Sequence, residues 1–127
     1  MIRILPPLTG ALLAVLAASC ANSPDPQVAC TLIGCNDGLR VTVGGAVPAQ
    51  FTVRVLAGDS TLRTVECRTG TPCDVFIENT TPEQVTVEIA STTGVVTRTA
   101  TPEYTIARPN GPNCPPECRQ GEVAITL

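Results

Sequence analysis

The sequence predicts an all-β protein, an antiparallel-rich sandwich of seven or eight short strands stapled by disulfides. Three observations lead there. From Gly38 onward, apolar and polar residues alternate with period two, the signature of strands that bury one face. Clusters of Gly, Pro, Asn and Asp interrupt the alternation about every ten residues, the rhythm of a sandwich. No stretch of the domain carries i, i+3, i+4, i+7 apolar spacing behind a cap, so no helix is expected in it.

Taken in order, Leu39-Arg-Val41-Thr-Val43 alternates cleanly, with Arg40 and Thr42 outward, until Gly44-Gly45 and Pro48 break it. Phe51-Thr-Val53-Arg-Val55 repeats the pattern and ends in the turn Ala57-Gly58-Asp59-Ser60. Leu62 to Cys67 is a weaker strand, closed by the turn Arg68-Thr-Gly-Thr-Pro72. Asp74 to Glu78 follows, and Asn79-Thr-Thr-Pro82 turns the chain again. Gln84 to Ala90 is the cleanest strand, with Val85, Val87 and Ile89 on one face. Val95 to Ala100 and Glu103 to Ala107 are separated by Pro102. A proline- and cysteine-rich loop, Arg108 to Gln120, leads to a last strand, Glu122 to Leu127. Valine and threonine fill these strands, as suits a pleated, half-buried surface.

Seven cysteines in 127 residues is a high count. Setting Cys20 aside leaves Cys30, Cys35, Cys67, Cys73, Cys114 and Cys118, in pairs spaced C-x4-C, C-x5-C and C-x3-C. An even number in a short exported chain reads as a disulfide framework. Structural zinc is disfavoured, because no pair has C-x2-C spacing and the chain has no histidine. Cys67 and Cys73 flank a Gly- and Pro-containing turn between two strands, so a local bridge is expected there. The other four leave two readings open. Proximity favours Cys30–Cys35 and Cys114–Cys118. Topology favours crossed bridges if the first and last strands lie side by side in parallel, and closing C-x3-C through two prolines is geometrically demanding.

Absences exclude several chemistries. The chain has no histidine, lysine or tryptophan, and its one methionine is Met1. That removes Ser-His-Asp and Cys-His machinery, Schiff bases and P-loops. Beyond residue 19 stand seven arginines and eleven carboxylates, a net charge of −4, which argues against a nucleic-acid partner. Only Phe51, Phe76 and Tyr104 are aromatic, so the core must be aliphatic and stability marginal without covalent help.

The N-terminus carries the most specific motif. Arg3 and the free amine precede an apolar run from Leu8 to Ala18, too short to span a bilayer, and small residues lead to Cys20. This layout resembles the lipobox of bacterial lipoproteins, although Ala17 stands where that family most often has leucine. The resemblance implies a signal peptide over residues 1–19, cleavage before Cys20, and a diacylglyceryl anchor on its thiol. Asn22 in place of Asp implies the outer membrane if the source is a diderm bacterium. Residues 20–29 then form the lipidated cysteine and a short tether, and residues 30–127 the domain. Nine tether residues reach at most ~30 Å. Strand count and length also resemble immunoglobulin-like and transthyretin-like sandwiches, in architecture only.

Few domain residues suggest chemistry. Asp37, Asp59 and Asp74 could offer oxygen ligands to calcium, but Asp or Asn beside Gly is ordinary turn chemistry. Glu83 and Glu103 could each pair with a second carboxylate. The least generic segment is Arg108 to Arg119, whose Arg108, Asn110, Asn113, Glu117 and Arg119 form a candidate recognition loop on a rigid scaffold. No cofactor or metal is expected. The sequence therefore points to a non-enzymatic, membrane-anchored envelope protein that binds a protein or glycan partner or supports an assembly. The alternatives are a small carboxylate-dependent hydrolase and a sugar- or calcium-binding accessory module.

Overall fold

The structure is a computed structural model that describes residues 29–127. The lipobox-like segment, Cys20 and the tether up to residue 28 lie outside the described residues. Eight strands form in chain order: β1 (Gly38–Gly44), β2 (Gln50–Ala57), β3 (Ser60–Arg68), β4 (Cys73–Glu78), β5 (Val85–Ser91), β6 (Gly94–Ala100), β7 (Glu103–Ala107) and β8 (Cys118–Thr126). They build two four-stranded sheets, ordered β4-β1-β8-β7 and β3-β2-β5-β6. Each is antiparallel except for one pair: β1 and β8, the first and last strands, run parallel.

The period-two pattern becomes the core. Leu39, Val41 and Val43 of β1, Val75 and Ile77 of β4, and Val123 and Ile125 of β8 point inward from the first sheet. Phe51, Val53 and Val55 of β2 meet them from the second, with Val85, Val87 and Ile89 of β5. Fully burying such a side chain stabilises the fold by roughly 1.5–3 kcal/mol. No polar or charged side chain is buried among the described residues, so the core is apolar packing, aliphatic apart from Phe51 and the Cys67–Cys73 bridge.

Most strand boundaries fall within two residues of the sequence expectation, and one differs more. The loop after β7 ends at Glu117, and β8 begins at Cys118 rather than Glu122. The four extra residues are real ladder: Cys118, Arg119, Gln120 and Gly121 pair with Ala107, Ile106, Thr105 and Tyr104 of β7. Alternation fails there because Gly121 occupies an inward position. Its missing side chain is replaced by the ring of Tyr104 from β7, whose Cδ1 would stand 2.8 Å from any Cβ at 121. Tyr104 also donates its hydroxyl to the Pro82 carbonyl at 2.6 Å, fastening the short edge strand to the β4–β5 connection.

The last residue is tied down, since Leu127 donates to Gly44 O at 3.0 Å and Ala46 donates to Leu127 O at 3.2 Å. Gly45 permits this approach: it has φ +88°, and a Cβ there would meet the Leu127 carbonyl at 2.6 Å. Chain passage between sheets is equally tight. Only Thr101 and a buried Pro102 separate β6, in one sheet, from β7 in the other.

Candidate functional site

Parallel pairing of β1 and β8 puts both strands' starting ends together, with Gly38 opposite Gln120. The segment entering β1 (29–37) and the loop entering β8 (108–117) therefore share one end of the sandwich. Two disulfides join them, Cys30–Cys114 and Cys35–Cys118, with Cα atoms 5.6 and 6.0 Å apart. Of the two pairings left open by the sequence, the crossed one is formed. The expected local bridge, Cys67–Cys73, closes the β3–β4 turn with its Cα atoms 5.7 Å apart.

Polar side chains complete the stapled end. The Asn110 carboxamide oxygen accepts the Ile33 amide at 3.0 Å and the Thr31 hydroxyl. Its nitrogen donates to the carbonyls of Ile33 at 2.8 Å and Pro115 at 2.6 Å. One side chain thus satisfies both backbone groups of Ile33 and ties the entering segment to the loop. The Asp37 carboxylate accepts the Arg119 amide at 2.7 Å, and the Asp37 carbonyl accepts the Asn79 amide at 2.8 Å. Within the loop, Gly111 N bonds Arg108 O at 3.0 Å and Cys114 N bonds Gly111 O at 3.3 Å, making two successive turns.

The five candidate recognition residues are thereby placed. Arg108 pairs with Glu117, Nη2 to Oε2 at 2.8 Å, and both side chains remain about half exposed (46 % and 56 %). Asn110 is consumed by the clamp. Arg119 lies in β8 rather than in the loop, with its guanidinium 4.3 Å from the centroid of the Tyr104 ring. Asn113 is exposed. Burial pushes the Tyr104 hydroxyl above its ordinary pKa of 10.0, and the Arg119 cation pulls the other way. No local signal marks Thr31, Ile33 and Asp37 as partners of the loop, because those contacts span about eighty residues of chain.

Carboxylates elsewhere are distributed across surfaces. Glu103 stands directly opposite Glu122 in the β7–β8 register, and Arg40 neighbours Glu122 from β1, all three exposed on the outer face of one sheet. Asp74 accepts the Thr42 hydroxyl at 2.9 Å. Arg54 and Glu88 form an ion pair across β2 and β5. No group of three or more His, Cys, Asp or Glu side chains is gathered for a metal among the described residues. Two open depressions flank Cys67 at the opposite end. The larger, about 550 Å³, is lined by Gln50, Phe51, Thr52, Glu66, Arg68 and Ser91, among others. It holds one carboxylate, Glu66.

Fold and stapled end together define a class: a small all-β sandwich whose chain entry and last connection are cross-bridged into one unit. Compared with family models, curated proteins and solved structures, the chain finds no match in any of the three.

Proposed function

We propose that this chain is a non-enzymatic, lipid-anchored envelope protein, held by a diacylglyceryl group on Cys20 and using its stapled end as a preorganised binding element. The observation that carries the reading is the covalent fusion of the segment after the tether to the 108–117 loop. A tether leading into a flexible terminus would leave the domain loosely attached. Here it leads within ten residues of Cys20 to Cys30, a residue locked to the body of the sandwich. The loop beside it presents Arg108, Asn113 and Glu117 on backbone fixed by two bridges and the Asn110 clamp, so little conformational entropy remains to be lost on binding. Protein or glycan partners of the envelope fit that exposed polar surface.

Metabolic labelling with a palmitate analogue tests the anchor. The wild-type chain should be tagged, and Cys20→Ala should lose both the tag and processing to the mature form. Soluble, correctly cleaved Cys20→Ala protein in the periplasm would replace the anchored reading with ordinary secretion. The binding element is tested by capture from detergent-solubilised envelopes. Arg108→Ala with Asn113→Ala should lose a partner retained by the wild type while the disulfide map stays unchanged.

A further inference from the structure

Between Cys30 and Cys35 the chain runs Thr31-Leu32-Ile33-Gly34, and both bracketing cysteines are bridged to the β7–β8 side. Leu32 is 99 % exposed and Ile33 56 %, so neither contributes a buried side chain to the sandwich. Single exposed aliphatics are unremarkable on a protein surface. Two adjacent ones on a segment this constrained are different, because the Asn110 clamp fixes the Ile33 backbone from both its amide and its carbonyl. The backbone is satisfied and held while the side chains are left pointing at solvent.

We propose that Leu32 and Ile33 form a rigid aliphatic tip that seats in the interfacial region of the bilayer carrying the Cys20 lipid. This rests on the anchored reading above. Three observations select the bilayer as the occupant. The chain between Cys20 and Cys30 spans at most ~35 Å, so the tip stays within reach of the surface. No charged residue occurs from Pro26 to Asn36, so entering the interface desolvates no ion in that stretch. Asp74, Glu103 and Glu122 lie exposed on one sheet's outer face, which an anionic membrane repels, while Asp37 and Glu117 at the stapled end are already engaged, by the Arg119 amide and by Arg108. A lipid chain supplies the affinity, and the tip adds a second, weaker contact that fixes the domain's orientation.

The chain has no tryptophan, so a single one is an unambiguous reporter. The lipidated full chain, carrying Leu32→Trp or Val95→Trp, is reconstituted into phosphatidylethanolamine–phosphatidylglycerol vesicles with brominated acyl chains. Val95 is 64 % exposed on edge strand β6 and serves as the reference. Lipid quenching should be at least about threefold stronger at position 32 than at 95, with blue-shifted emission, as expected for insertion to interfacial depth. A Leu32→Ser, Ile33→Ser pair, still lipidated, should transfer between vesicles about tenfold faster, reflecting lost apolar burial. Equal quenching at both positions in protein whose Cys20 lipid is verified by mass spectrometry overturns the tip and leaves the anchor standing. A blue shift without lipid quenching assigns the tip to a protein contact and likewise overturns it. Absence of the lipid on Cys20 overturns both readings.

Discussion

The two ends of the sandwich are both disulfide-bonded, yet they use the bond for different purposes. At one end Cys67 and Cys73 are six residues apart and close the turn that carries the chain from β3 in one sheet to β4 in the other. At the other, Cys30–Cys114 and Cys35–Cys118 span 84 and 83 residues and join segments that only the folded sheet makes neighbours. The local bridge trims the conformations of one turn. The crossed bridges restrict nearly the whole unfolded domain. They also fix the entry segment, which contains no strand of its own and no fully buried side chain to hold it. Covalent closure does at that end what a hydrophobic core does in the middle.

The largest effect expected from this contrast comes from removing both crossed bridges. In the chain-entropy model a loop of some eighty residues contributes about 4.5 kcal/mol, and the second bridge, closing a path of about ten residues through the first, a further 2.5 kcal/mol or so. Replacing Cys30, Cys35, Cys114 and Cys118 with Ser should therefore lower unfolding free energy by about 7 kcal/mol, enough to unfold a marginal domain. Circular dichroism with chemical denaturation measures it, and a loss no greater than that of Cys67→Ser with Cys73→Ser would break the comparison.

Next in size are the single bridges. Cys35→Ser with Cys118→Ser leaves the long loop closed by Cys30–Cys114 and should cost only about 2.5–3 kcal/mol. Removing Cys67–Cys73 should cost about 2 kcal/mol. The two values are close although the sequence separations differ more than tenfold, so near-equality with a much larger quadruple loss sharpens the view that the crossed pair acts as a unit.

The smallest effect belongs to a noncovalent tie near the stapled end. Tyr104→Phe removes the hydrogen bond to Pro82 O and should cost about 1 kcal/mol. Its pH dependence has a definite sign. Burial raises the Tyr104 pKa above 10.0, so its contribution is fully present below pH 10 and is lost as pH rises through the higher folded value. Thermal melts from pH 8 upward should show an alkaline decline in the wild type that Tyr104→Phe reduces. Identical declines would assign the alkaline loss to other groups.

Most strands are legible because their information is local. Alternation at Val41–Val43, Val53–Val55 and Val85–Ile89 marks the buried face without knowledge of any partner. The start of β8 escapes that logic, since Gly121 carries no side chain and its inward space is filled from β7 by Tyr104. Asn110 escapes it for the same reason: in sequence it is one turn residue among several, and its clamp partners Thr31 and Ile33 lie 79 and 77 residues earlier.

By itself the sequence determined the all-β class, the strand set, the aliphatic core and the Cys67–Cys73 bridge. Each depends on side chains a few residues apart, where period and turn chemistry suffice. Tertiary structure alone decided the crossed pairing. Six thiols carry no label saying which partner is theirs, and the choice follows from β1 and β8 lying side by side in parallel. That adjacency also made one surface of residues 29–37 and 108–117, leaving Leu32 and Ile33 exposed beside the bridges, because contacts across eighty residues are set by sheet order and not by local pattern.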